Sequence, residues 1–272
     1  MKNPYVISCE LDLVSSELVK GDSIEGFREN LDAELSAMGK EVTWVSTQTI
    51  RSGLSRGISR TKLPVVSLDD RYIMSAASCY LGISRGVDPL LNDEGYVPRS
   101  GYPNVERQLA EVSRLGGEIV LTDDVLFSGE MITWLSRALQ DYNVRIGAIV
   151  VGVAMREGIV KLELGGIPVE SAVIYEAVDD ELCERDFAVV PGSGRRVSQL
   201  DVNALYFDTE YGRPEKWASL PPDSTAGFMI NSIERSMSLL EDVPMQVLGG
   251  FYGYGVDGQA QERLAARIRS LT

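Results

Sequence analysis

The 272-residue chain contains no histidine. That absence excludes Ser-His-Asp and Cys-His nucleophile systems and every histidine-ligated zinc site. Acid–base work would fall to Asp, Glu, Lys, Tyr or the substrate itself. Cysteine is scarce, and Cys9, Cys79 and Cys183 are odd in number and far apart. They form neither a disulfide framework nor a C-x-x-C metal pair, so buried thiols in a reducing compartment are expected. No apolar run reaches the roughly 18 residues that a membrane span needs. The start, Met1-Lys2-Asn3-Pro4, leads to Glu10 and Asp12 rather than into an apolar signal core. A cytoplasmic protein without a membrane partner is therefore expected. Positive charge is also short: 26 Lys and Arg against 40 Asp and Glu leave a net charge of −14. A general nucleic-acid surface has little to be built from, although a local basic cluster can still serve a small anion.

What is present is ordinary globular composition, 44% hydrophobic and 24% charged, in a chain long enough for one large domain or a core with an appendage. Tyr5 to Leu13 alternates polar and apolar residues, as a half-exposed strand does. Asp22 and Glu25 have capping-box spacing ahead of Ile24, Phe27, Leu31 and Leu35, and Gly39 stands where a helix C-cap belongs. Residues 42–47 and 65–68 read as short strands. Between them Arg51-Ser52-Gly53-Leu54-Ser55-Arg56-Gly57 reads as a loop continuing to Arg60 and Lys62. Residues 82–103, rich in Gly, Pro, Asn and Asp, read as a long loop of the kind often used as a lid.

Helices are then expected around 105–112, 132–139 and 159–164, alternating with strands at 119–121, 146–153 and 169–175. That alternation predicts an α/β fold, a mostly parallel sheet with helices on both faces. Beyond Pro191 turn chemistry precedes helices at 226–240 and 259–271, an α-rich extension. The expected division is 1–40 as an N-terminal strand and helix, 41–190 as the core, and 191–272 as the extension.

The chemistry concentrates in Ile119-Val120-Leu121-Thr122-Asp123-Asp124-Val125-Leu126-Phe127-Ser128-Gly129-Glu130-Met131-Ile132. A buried strand delivers Asp123 and Asp124 to its carboxyl edge, where ligands bind in open α/β sheets. Ser128-Gly129 then opens a helix, so several backbone N–H groups and the helix dipole face one spot. Acids for a diol beside amides for a phosphate describe a site for ribose 5-phosphate. An acid pair after a strand also occurs as a plain helix cap or solvated turn.

Residues 121–129 resemble the binding motif for 5-phosphoribosyl 1-diphosphate (PRPP) of the type I phosphoribosyltransferases, in which apolar residues, two acids, a short spacer and Thr/Ser-Gly recur in this order. The resemblance covers about residues 41–190. It implies Asp123 and Asp124 at the ribose and Val125, Leu126, Phe127, Ser128, Gly129, Glu130 and Met131 around the 5-phosphate. It also implies a Mg2+ ion that accompanies PRPP, and arginines that hold the diphosphate. For that last role Arg51, Arg56, Arg71, Arg85 and Arg99 are the candidates, with Arg60 beside the first two. Asp69 and Asp70, a second acid pair at a strand end, are candidate metal contacts or simply a turn. Gly192-Ser193-Gly194-Arg195-Arg196 offers a second anion nest or an exposed turn. Gly249 to Gly255 offers an aromatic flap or a packed loop.

The motif departs from its family at one place. Where Gly-x-Thr/Ser is usual, Gly129 is followed by Glu130 and Met131, which removes one hydroxyl donor and sets a carboxylate beside the turn. A phosphoribosyltransferase-type enzyme, a glycosyltransferase of nucleotide metabolism with unknown acceptor, is the leading expectation. A non-catalytic sensor of PRPP or a nucleotide on the same fold is the alternative, and an unrelated magnesium- or nucleotide-binding domain is a third. Homo-oligomerisation is left open.

Overall fold

The computed structural model describes residues 2–14, 21–73, 76–188, 194–198, 202–205 and 212–239. The proposed flap at 249–255, the helix at 259–271 and residues 192 and 193 of the proposed nest lie outside them. The chain forms two discontinuous compact units where the sequence suggested three consecutive segments. One unit comprises Met1–Trp44, Arg85–Gly95 and Asp179–Thr272, the other Val45–Ser84 and Tyr96–Val178. Among the described residues no helix is long and apolar enough to cross a membrane.

The unit spanning 45–84 and 96–178 carries a five-stranded sheet. Its strands are β3 (Val65–Ser67), β4 (Cys79–Tyr80), β7 (Glu118–Leu126), β8 (Arg145–Met155) and β9 (Val169–Tyr175). The order is β4-β3-β7-β8-β9, with every neighbouring pair parallel. Helices α3 (Val105–Val112), α4 (Glu130–Gln140) and α5 (Arg156–Leu164) bury Leu109, Leu135 and Leu162 with Ile149 and Val151 of β8. The alternate residue, Val150, points to the other face. There α2 (Thr47–Ile58) lies against it, so helices cover both faces as the sequence predicted.

Two expected loops are corrected. Arg51 to Gly57 is part of helix α2, not a loop. Ser46 caps it, accepting from Thr49 N at 3.2 Å. Gly53 and Gly57 are its contact ridge: a β-carbon would stand 2.1 Å from that of Ala172 at Gly53, and 2.5 Å from Val150 Cγ1 at Gly57. Glycines one helical turn apart therefore signal close helix–sheet packing here rather than a flexible phosphate loop. The second correction concerns 82–103, which contains a hairpin, β5 (Ile83–Val87) and β6 (Asp93–Pro98). Its Asp and Asn build the turn, with Asp88 Oδ1 accepting from Leu90 N and Asn92 N, each at 2.8 Å.

The other unit holds a three-stranded sheet of order β10-β1-β2, from β1 (Tyr5–Ser8), β2 (Val42–Val45) and β10 (Asp180–Cys183), with β1 parallel to β10. Helix α1 (Gly21–Ala37) buries Ile24, Phe27, Leu31 and Leu35 at the expected spacing. It ends at Gly39, whose φ is +82°. Asp22 lies inside its first turn rather than at the cap. The half-exposed strand expected over 5–13 is shorter and fully buried. All four residues of β1 are buried, Ser8 Oγ donates to Glu181 Oε1 at 2.8 Å, and 11–13 form a 3-10 turn.

The C-terminal part is less purely helical than expected. Before α6 (Pro214–Trp217) and α7 (Thr225–Leu239) it contributes β11 (Arg195–Val197) and β12 (Val202–Ala204) to a sheet of order β12-β11-β5-β6. All three cysteines are free thiols; Cys9 is buried, and Cys79 and Cys183 are half-buried.

Candidate functional site

Strand β7 continues past both acids to Leu126, so the pair sits within the last strand turns rather than beyond them. Asp123 pairs in register with Val151, and Leu68 N donates to Thr122 O at 2.9 Å, so Asp69 leaves β3 beside the acids of β7. Asp69, Asp123 and Asp124 are all buried. Asp69 Oδ1 accepts from Arg71 N at 2.8 Å and Tyr72 N at 2.9 Å. Asp124 Oδ1 accepts from its neighbour Val125 N at 2.8 Å.

Burial pushes the Asp123 carboxyl well above the usual aspartate range. The charge of Asp124, a hydrogen bond between the two carboxyl groups and the charge of Asp69 push the same way, and the charge of Arg99 opposes them. Crowding of this kind favours the protonated form of one carboxyl group of the pair. Such a pair can both donate to and accept from adjacent hydroxyls. Strongly shifted acids at the carboxyl edge of a parallel sheet are also where binding chemistry is commonly found.

The turn after β7 is fixed by close backbone contact. Gly129 caps α4 with φ +73° and ψ 7°, a left-handed conformation that favours glycine. Its carbonyl accepts from Thr133 N at 2.9 Å and Thr133 Oγ1 at 2.8 Å. Phe127 O passes so near α5 that a β-carbon at Gly158 would lie 2.2 Å from it. Ser128 is half-buried, with Glu130 N donating to its Oγ at 3.4 Å. Glu130 is exposed in the first turn of α4, whereas Met131 packs partly against the core. Phe127, 44% exposed, is the apolar residue this turn leaves to solvent.

The candidate arginines separate. Arg99 acts on Asp123, as above. Arg51 is exposed on α2 and its Nε donates to Tyr72 O at 3.2 Å, while Arg56 is exposed on the same helix. Arg60 pairs with Glu170 at 3.0 Å. Arg85 belongs to the hairpin and pairs with Asp93 at 2.9 Å, rather than lying in an open loop. Arg71 contributes its backbone N–H to Asp69. Arg195, proposed for an anion nest, lies over the Trp217 ring at 4.8 Å. Sequence reading missed Gly82, Tyr102 and Gln108, which tether the segment bearing Arg99. Their signal was a glycine and an aromatic inside a stretch whose turn-rich composition concealed a hairpin.

No family model matches the chain, and no curated protein sequence does. Among solved structures the chain is similar to an orotate phosphoribosyltransferase from Aeropyrum pernix, with 17% identity and a TM-score of 0.29 over 47% of this chain and 68% of that one. It is also similar to an adenine phosphoribosyltransferase from Rhodothermus marinus DSM 4252, with 10% identity and a TM-score of 0.30 over 46% and 77%.

Proposed function

We propose that the carboxyl edge of β7 and the turn into α4 bind a phosphorylated ribose, with PRPP as the ligand and ribosyl transfer as the reaction. The observation that carries this reading is a buried pair of adjacent carboxyl groups, Asp123 and Asp124, one short turn away from a glycine-capped helix start. Asp123 and Asp124 engage the ribose hydroxyls. The 5-phosphate accepts from the Ser128 hydroxyl and the amides around Gly129. Arg99 faces the diphosphate side.

The residues suit magnesium in kind, since Asp69, Asp70, Asp123 and Asp124 offer carboxylate oxygens of the sort a hard cation takes. The ion, when bound with PRPP, would neutralise charge on the leaving diphosphate. Transfer of this kind breaks the bond from C1 to the diphosphate and forms one from C1 to a nucleophile. It rests on holding the ribose and stabilising charge, and needs no histidine.

A second reading is a sensor of the same ligand without turnover, favoured by Glu130 and Met131. Glu130 adds a carboxylate beside the phosphate turn, and Met131 faces the core where the family motif supplies a hydroxyl. Losing one charge-assisted hydrogen bond weakens phosphate binding by about 1.5–3 kcal/mol.

Calorimetric titration of PRPP with and without Mg2+, into the wild type and Asp123→Asn/Asp124→Asn, tests the site. Magnesium-dependent binding that the double variant loses is the expected result, and no heat up to millimolar PRPP would overturn it. Diphosphate release in a screen of nitrogenous bases then separates enzyme from sensor.

A further inference from the structure

The segment between β6 and α3 that carries Arg99 is tied down by a set of contacts that the ribose-phosphate reading does not use. Arg99 N donates to Gly82 O at 2.8 Å, and Tyr102 N donates to Arg99 O at 3.1 Å. The buried Gln108 amide donates to Gly82 O at 3.3 Å and to Pro103 O at 2.7 Å, joining both ends of the tether. The Tyr102 ring occupies the space where Gly82 has no side chain. A β-carbon there would lie 2.1 Å from Cγ and 2.3 and 2.4 Å from the two Cδ atoms. Tyr102 Oη then donates to Asp70 Oδ2 at 3.3 Å. Gly82 is itself anchored, because the preceding Leu81 N donates to Ser67 O of β3 at 2.8 Å.

These contacts form a closed circuit. It runs from the end of β3 through Asp70 to Tyr102, through the backbone to Arg99, and back through Gly82 to β3. The arginine in that circuit is the one whose charge reaches Asp123.

We propose that Tyr102 is a positioning residue, latched over Gly82 and onto Asp70, that holds Arg99 at the carboxyl edge to receive the diphosphate of a ribosyl ligand. Asp70 is thereby the keeper of the latch. The inference rests on the ribose-phosphate reading above, and it adds residues outside the acid pair and the phosphate turn.

The test is a binding cycle on the full chain with Mg2+–PRPP as probe, using Gly82→Ala, Arg99→Gln and both together, alongside hydrogen exchange of the ligand-free proteins over 96–104. Gly82→Ala forces the ring aside, so exchange over 96–104 should rise while the rest of its unit keeps its protection. PRPP affinity should fall about tenfold, the scale of one weakened charge-assisted bond. Because the latch acts through Arg99, adding Gly82→Ala to Arg99→Gln should cost nothing further. Tyr102→Phe, which keeps the ring and loses the Asp70 bond, should fall between wild type and Gly82→Ala. Ribose 5-phosphate, which lacks the diphosphate, should bind Gly82→Ala as it binds the wild type. Equal losses from Gly82→Ala with and without Arg99, or unchanged PRPP affinity despite raised exchange, would overturn the latch alone. A wild type that binds no PRPP overturns the ribose-phosphate reading and this one with it.

Discussion

Each unit gathers buried carboxylates near the end of parallel strands, and the two units treat them differently. Beside β1 and β10, Glu184 accepts from Glu10 N and Leu11 N, each at 2.9 Å, and from Arg28 Nε at 2.5 Å and Nη2 at 2.9 Å. Arg185 pairs with Glu10 at 3.1 Å. Burial alone would lower the Arg28 guanidinium, yet its bonds and attraction to Glu184 raise it overall. Glu10 and Glu184 thus each have a charged partner. Beside β3 and β7 the acids crowd one another, and Arg99 is outweighed at Asp123. A compensated cluster holds a fold together; crowded acids cost stability, and such costs are concentrated where ligands bind.

That contrast can be broken at either edge. The largest effect is expected from Arg28→Met, which leaves Glu184 buried without its guanidinium and should lower unfolding free energy by about 3–5 kcal/mol in denaturant titration. Gly53→Ala, placing a methyl group against Ala172, should cost about 1–3 kcal/mol through overpacking of α2 on the sheet, read the same way. Asp123→Asn should act in the opposite direction. The folded Asp123 carboxyl titrates above the unfolded one, so the stability it contributes is complete below about pH 4. It is lost as pH rises through the raised folded value. Wild-type stability should therefore decline over that range relative to Asp123→Asn, and parallel pH profiles would show that the pair is not strained. The smallest expected effect is from Ser46→Ala, about 1 kcal/mol from loss of the α2 cap.

How much of this was legible from the residues depended on periodicity. Long apolar strands such as Ile146 to Val153 were readable because both faces are buried, and helices spaced like Ile132, Leu135 and Leu139 because one face is. The acid pair and Ser128-Gly129 were readable because they follow such a strand. Gly53 and Gly57 misled, because a glycine selected for helix–sheet contact has the same letter as one selected for a flexible turn. The β5–β6 hairpin was hidden for a related reason, since Asp88 and Asn92 serve a turn whose strands are short and carry little alternation. Arg28, Glu184 and Arg185 are far apart from their partners in sequence, so only the fold shows which charges neutralise which.

Thermal unfolding of the wild type and of Asp123→Asn/Asp124→Asn, each with and without Mg2+–PRPP, probes stability and binding at the acid pair together. The wild-type midpoint should rise with ligand by mass action, whereas the double variant should start higher and not move. A wild-type midpoint unmoved by millimolar Mg2+–PRPP, or an equal rise in both proteins, would contradict the assignment of a phosphorylated ribose to the carboxyl edge of β7.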